Sequence, residues 1–329
     1  MGSASSVTGT VFKPAVGRPT PRAIRPVRSV ARTKEARSRA TGFAMALPPV
    51  VLIALFVGVP VALSIGFSFG MTGGLNATAA AIGQNVHNAD GPITLEAYRH
   101  LFADPRFARD LMATIVVTAT TTVATLAIAI GAAVLLRLRG GWLGALVAGL
   151  GVVPLFIPVV IASWAILTFY AGDGFVRSVF AQFGIDAPTL GFTVTGVVIA
   201  SIWVNLPFAL LMATSGMQAV PQALIDAARD AGASTLAVVR GVLVPMAGIP
   251  LVIAATFTAI GVLGQFTVPY FMGPNAPQQL GVAISNQFQS FNQPQQAAAI
   301  AVVVFVLASG IAAVYVWANF RSAKKEGRV

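Results

Sequence analysis

Asp226-Ala227-Ala228, three residues, Gly232, nine residues, then Val242-Leu243-Val244-Pro245 forms a short charged insert in a chain that is otherwise apolar around it. No Lys, Arg, Asp or Glu occurs from Ala187 to Ile225 or from Gly241 to Phe320. The insert reads as two helices. Pro221 suits the first turn of one, where its missing N–H would be unpaired anyway. That helix runs to about Asp230 and stops near Gly232, which adopts the left-handed conformation that reverses a chain at little cost. Ser234 is placed to cap a second helix reaching about Val244, with Pro245 opening the next apolar run. Ala227, Ala228, Ala231 and Ala233 keep the first helix and turn thin, so that another surface can approach closely. Asp226 and Arg229 frame that surface with charge.

The flanking runs decide the fold class. Hydrophobic residues make up 56% of the chain and charged residues 9%, against about a quarter charged in soluble domains. Mean hydropathy is +0.81. A charge at the bilayer centre costs roughly 2.5–3.5 kcal/mol on insertion scales, and a spanning helix needs about 20 apolar residues. The sequence predicts an all-α polytopic membrane protein with six transmembrane helices, near 44–69, 110–136, 142–169, 191–216, 248–271 and 297–319. The apolar runs are continuous, whereas barrel strands alternate and are short. There are no cysteines, hence no disulfides or thiolate metal sites.

Lys and Arg set the expected orientation. The tail 1–42, Arg137, Arg139, Arg229, Arg240, Arg321, Lys324, Lys325 and Arg328 fall on one side of the six spans. Arg99, Arg106, Arg109 and Arg177 fall on the other, among Asp90, Glu96, Asp104, Asp110, Asp173 and Asp186. Both termini and the charged insert are therefore expected in the cytoplasm of a bacterial cell, with the chain in its plasma (inner) membrane. Residues 1–42, rich in Arg, Pro, Ser and Thr, read as a disordered basic tail. Its expected partner is anionic lipid headgroups of the bilayer rather than nucleic acid. The transmembrane domain is expected over 43–320, and a basic cytoplasmic tail over 321–329.

The insert resembles the EAA loop of ABC importer permeases, which reads Glu-Ala-Ala, three residues, Gly, nine residues, Ile, any residue, Leu-Pro. The spacing matches throughout, with Asp226 for Glu, Val242 for Ile and Val244 for Leu. The resemblance covers roughly residues 94–320 and implies a permease subunit of a binding-protein-dependent importer. In that family the loop, here about 217–247, sits in a cleft of an ATPase subunit. Asp226, Ala227, Ala228, Arg229, Gly232, Ala233 and Pro245 are then the coupling residues. The implied partners are two ATPase copies, a second permease subunit or a copy of this chain, and an extracytoplasmic solute-binding protein. A structural membrane protein that does not transport is the alternative from another class.

No G-x-x-x-x-G-K-[ST] cradle for phosphates is present, so no cofactor is expected on this chain and ATP would be bound by the partner. The chain is read as a transport subunit and not as an enzyme. No expected span carries a charged group or histidine within it, which removes the chemistry of ion-coupled transporters and of intramembrane proteases. Asn205, Gln265, Trp203, Tyr270, Ser163 and Trp164 are the candidate pathway residues, since polar groups in lipid need partners. Thr118, Thr120, Thr121 and Thr122 read as packing residues bonded to their own backbone. Pro154, Pro158 and Pro207 are expected to bend their helices. His87 and His100, the only histidines, lack an acidic or thiol partner at ligand spacing and read as solvated loop residues, so no metal site is expected. Residues Phe266 to Phe288 resemble spermidine/putrescine permeases, and Asp226 to Ser234 leans the same way, which implies a polyamine substrate. A carbohydrate permease is the alternative.

Overall fold

The computed structural model describes residues 42–91 and 93–325. The tail expected to be disordered lies outside the described residues except for Gly42, as do residues 326–329. Most of the described residues are helical, with no strand among them.

Five helices are long and apolar enough to cross a membrane: Gly42–Ser68, Pro105–Leu138, Val159–Gln182, Val194–Gln218 and Pro294–Arg321. Thr235–Met246 and Gly248–Leu263, bent by 74° at Ala247, make a sixth if taken together. Residues 42–59 belong to a separate compact unit, and each of them is exposed along the apolar helix. Within the other unit, Pro60–Val329, the second, fourth and fifth spans form the centre. Ala129, Ala133, Ala209, Ala213, Met217, Ala247, Leu251 and Ala254 are buried there against one another. Small side chains at four-residue spacing let helix backbones approach closely in lipid, where the hydrophobic effect does not drive helices together.

Two expected spans are broken. The third, expected over 142–169, divides into Gly141–Phe156 and Val159–Tyr170, with Ile157 and Pro158 extended between them. A residue before proline is pushed out of the helical region by the proline ring, so the outcome at Pro158 is a break rather than a bend. The first piece, at about 1.5 Å per residue, is about 24 Å long and falls short of a hydrocarbon core of about 30 Å. Pro207, by contrast, lies inside an unbroken Val194–Gln218. The fifth span, expected to reach 271, ends at Leu263; Gln265 and Phe266 separate it from the short helix Thr267–Met272. The sixth runs on as helix to Lys325, so part of the expected tail is a continuation of the span.

Backbone freed by these breaks is paired by side chains. The second span begins at Pro105, so Asp110, expected among the external loop charges, is inside its first turns and only 7% exposed. Its Oδ1 accepts the Gln278 N–H at 2.9 Å. Four residues on, the Thr114 hydroxyl accepts the Leu280 N–H at 2.9 Å and donates to the Asp110 carbonyl at 2.7 Å. These bonds tie the non-helical segment after Met272 to the second span. Replacing Thr114 by Val keeps the shape and leaves the Leu280 N–H without an acceptor, a loss of about 1–3 kcal/mol. The thermal unfolding midpoint of the solubilised protein is expected to fall in Thr114→Val and to be retained in Thr114→Ser.

Candidate coupling loop and translocation pathway

The charged insert folds into two helices at the end of the bundle where Arg137 ends the second span. Pro221 stands one position before the first helix, Gln222–Asp230, rather than inside it. Gly232 has φ of +82°. Its N–H bonds the Arg229 carbonyl at 2.9 Å, and the Ala233 N–H bonds the Ala228 carbonyl at 3.0 Å. This pair of bonds is the Schellman closure of a helix end. A side chain at Gly232 would meet nothing within 4 Å; only the backbone conformation asks for glycine. Ser234 Oγ accepts the Ala237 N–H at 3.3 Å and caps the second helix as expected. That helix passes through a π-turn at Val239–Leu243 and continues to Met246, so Pro245 closes it and does not open the fifth span.

The loop has a core of its own. Val220, Ile225, Val238 and Leu243 are buried together, with Leu138, Ala228, Ala233, Val239 and Val242 packed against them. This corrects one part of the expectation. Ala228 and Ala233 are small because they pack inward, whereas Asp226, Ala227, Arg229, Gly232 and Pro245 are exposed. Leu224 and Leu236 are exposed beside them. Two apolar knobs among charges on a compact, self-supported loop suit a surface made to be covered.

Arg137, which the sequence distinguished only by its charge, holds the loop to the bundle. Its Nε donates to the Met217 carbonyl at 3.1 Å and its Nη2 to the Val220 carbonyl at 2.9 Å. Both carbonyls lie at the end of the fourth span, where a helix has no N–H left for its last carbonyls and favours a cation. Nη1 donates to Gln222 Oε1 at 2.7 Å, and Gln222 Nε2 donates to Asp226 Oδ1 at 2.9 Å. A chain of hydrogen bonds thus runs from the second span through the end of the fourth to Asp226. A basic residue in the last turn of a span was the only sequence signal for it.

The pathway candidates are partly brought together. Asn205 Nδ2 donates to the Ser201 carbonyl at 2.8 Å, and its Oδ1 faces Gly261 of the fifth span. Gln265, in the break after the fifth span, donates to Ser201 Oγ at 2.8 Å and to Gln279 Oε1 at 3.2 Å. Ser201 and Gln279 were not anticipated, and the Gln279 Nε2 is buried without a partner. Tyr270 and Trp164 are more than half exposed and both meet Phe271, with ring centroids 5.3 Å and 6.3 Å away. Trp203 is half-buried on the fourth span. Ser163 stands apart: it is buried, and its hydroxyl donates to its own Val159 carbonyl at 2.7 Å. Of the threonines, Thr120 bonds its own backbone at 2.7 Å, whereas the hydroxyls of Thr118, Thr121 and Thr122 are buried without a partner. A cavity of about 560 Å³ opens at the far end of the second span from Arg137, lined by Asp104, Arg109, Tyr270, Asn275 and Gln287 among others.

Residues 124–322, a stretch that contains the whole insert and Asn205 and Gln265, match the family described as binding-protein-dependent transport system inner membrane component. The sulfoquinovosyl glycerol transport system permease protein of Agrobacterium fabrum is 27% identical over 82% of this chain and 86% of its own length. The spermidine/putrescine transport system permease protein of Escherichia coli is 25% identical over 53% of this chain and 64% of its own. Among solved structures, a chain of a bacterial alginate ABC transporter superposes with a TM-score of 0.69 over 88% of this chain and 96% of that one. At 16% identity that likeness is one of fold. Because the matched residues make up more than half of the sequence and hold the loop, the fourth and fifth spans and the end of the second, the chain belongs to the family of inner membrane components of binding-protein-dependent transport systems.

Proposed function

We propose that this chain is the translocating subunit of an ATP-driven importer and that residues 222–246 dock into an ATPase subunit. The observation that carries the reading is the loop itself: a Schellman-closed, separately cored element, tied by Arg137 to two spans and presenting Asp226, Arg229, Leu224 and Leu236 outward. In this reading the loop and both termini face the cytoplasm. Two ATPase copies sit beneath a pair of permeases, and a solute-binding protein delivers cargo from the other side. ATP-driven closure of the ATPases moves the loops together, and the spans that carry them turn the pathway outward. This subunit makes and breaks no covalent bond.

For the cargo, the polar groups gathered at the broken fifth span are Ser201, Gln265 and Gln279, all uncharged donors and acceptors. The carboxylates that line the cavity, Asp104 and Asp110, are each engaged with backbone, accepting the N–H of Arg106 and of Gln278. Amides, a hydroxyl and the exposed rings of Tyr270 and Trp164 suit a hydroxyl-rich solute. We therefore take a carbohydrate-like cargo over the polyamine suggested by residues 266–288, which would call for free carboxylates in the pathway. Uptake assays with purified vesicles should show competition by hydroxylated solutes and none by spermidine. Competition by spermidine alone would restore the polyamine reading.

Gly232→Val places a β-branched residue at positive φ, a strain of about 1–2 kcal/mol. It is expected to lower retention of the ATPase subunit on affinity purification and uptake with it; unchanged values for both would remove the coupling assignment. Arg137→Ala leaves the Val220 carbonyl and Gln222 Oε1 without the Arg137 donor and the Met217 carbonyl with only the Val220 N–H, at about 1–3 kcal/mol. Uptake is expected to fall further than ATPase retention, because the joint and not the contact surface is loosened. Arg137→Lys, which keeps the charge and loses the fork, is expected to rescue only partly. As the chain has no cysteine, a single cysteine at Leu236 reports orientation. Labelling by a membrane-impermeant maleimide is expected in inside-out vesicles, and labelling in right-side-out vesicles would reverse the topology.

A further inference from the structure

The two histidines of the chain stand thirteen positions apart in sequence and meet in the structure. Their rings stack with centroids 5.1 Å apart. Contrary to the sequence reading, an acidic partner is present: Glu96 Oε2 is 3.5 Å from His87 Nε2. Donor atoms of His87, Glu96 and His100 all lie within 4.8 Å of one another.

The group is built rather than incidental. Glu96 and His100 are four residues apart on the helix Glu96–Ala103, a spacing that places both side chains on one face. His87 comes from an irregular segment whose backbone is clamped by Gln295, itself 1% exposed. Gln295 Oε1 accepts the His87 N–H at 2.7 Å, and its Nε2 donates to the His87 carbonyl at 2.9 Å and the Phe67 carbonyl at 3.3 Å. Within the group His87 turns Nε2 toward Glu96, and its Nδ1 is buried with no hydrogen-bond partner, so neither ring nitrogen is committed to a group outside the cluster.

We propose that His87, Glu96 and His100 bind a divalent first-row transition ion, zinc foremost, with water completing the shell. Two imidazoles and a carboxylate form a donor set that zinc takes at about 2.0–2.2 Å, with water as its fourth ligand. Calcium and magnesium favour all-oxygen shells. Donors on a tetrahedral zinc lie about 3.4 Å apart, so the most distant pair in the group must close by roughly 1.4 Å. The exposed Glu96 and His100 side chains supply that movement while the clamped His87 stays. Bound metal would fasten the segment around His87 to the helix Glu96–Ala103, and through Gln295 to the start of the last span. The inference does not rest on the coupling or the cargo readings.

The test uses the full-length protein, purified in detergent through a tag without histidines, and titrated with zinc against a chromophoric chelator. One zinc per chain is expected. His100→Ala and Glu96→Gln each remove a direct ligand and are expected to weaken binding at least about 100-fold, since even outer partners of metal ligands are worth 10–100-fold. His100→Cys supplies another zinc donor and is expected to restore binding in this otherwise cysteine-free chain, which separates a lost ligand from a damaged fold. Zinc absorption spectra should carry scattering from two imidazoles. Fewer than one zinc per chain in the unaltered protein, affinity unchanged in both His100→Ala and Glu96→Gln, or a spectrum without imidazole would overturn the proposal.

Discussion

Non-helical backbone between the spans answers to the cost of leaving N–H and C=O groups unpaired where there is no water. In hydrocarbon such a group costs several kcal/mol, and non-helical backbone survives only when protein groups pair it. The break after the fifth span obeys this. Asp110 and Thr114 accept the N–H groups of Gln278 and Leu280, and Gln278 in turn accepts from Asn286 at 2.8 Å. The same rule explains why a carboxylate is tolerated inside the second span. Asp110 sits within its first turns, near the end of the helix, and serves as a backbone acceptor.

The rule applies with equal force at the other end. Carbonyls at and just beyond the end of the fourth span run short of backbone donors, and Arg137 supplies N–H groups to those of Met217 and Val220. Its fork reaches two carbonyls and Gln222 at once, a geometry a lysine lacks. The result joins loop and bundle by directional bonds rather than by burial alone, in a chain of contacts that runs from Asp226 to the end of the second span.

How much of this the sequence disclosed follows from how local each determinant is. Gly232 and Ser234 act within four residues of themselves, and the helix ends they set were read correctly. The six apolar runs were legible because hydrophobicity over about twenty residues is a property of a segment. Pro158 was legible as a disturbance, but whether proline bends or breaks a helix depends on its neighbours: Pro207 rides in an unbroken span. The side chains that met partners 64 to 208 positions away were not legible, including Arg137, Asp110, Ser201 and the Gln295 clamp on His87. Nothing near them in sequence encodes the pairing, which exists only after the spans have packed. Ala228 and Ala233 were misread for the same reason, since inward and outward small residues look alike until the core of Ile225 and Leu243 is known.

The distribution of stiffness ties these parts together. Next to the loop, the second, fourth and fifth spans are packed through alanine, and a Cβ at Gly216 would stand 2.8 Å from Pro250 and 3.1 Å from Ala247. Close-packed backbones with so little side chain between them have few alternative arrangements, so loop and inner bundle form one body. Further along the same spans the seam changes character. Thr118, Thr121, Thr122 and Thr258 are buried there with hydroxyls that have no partner, and Gln265 and Gln279 replace helix with side-chain bonds. The alanine-packed half lies next to the loop, and beyond it the seam is made by threonines and by the amides of Gln265 and Gln279. That is the level at which the candidate pathway residues lie.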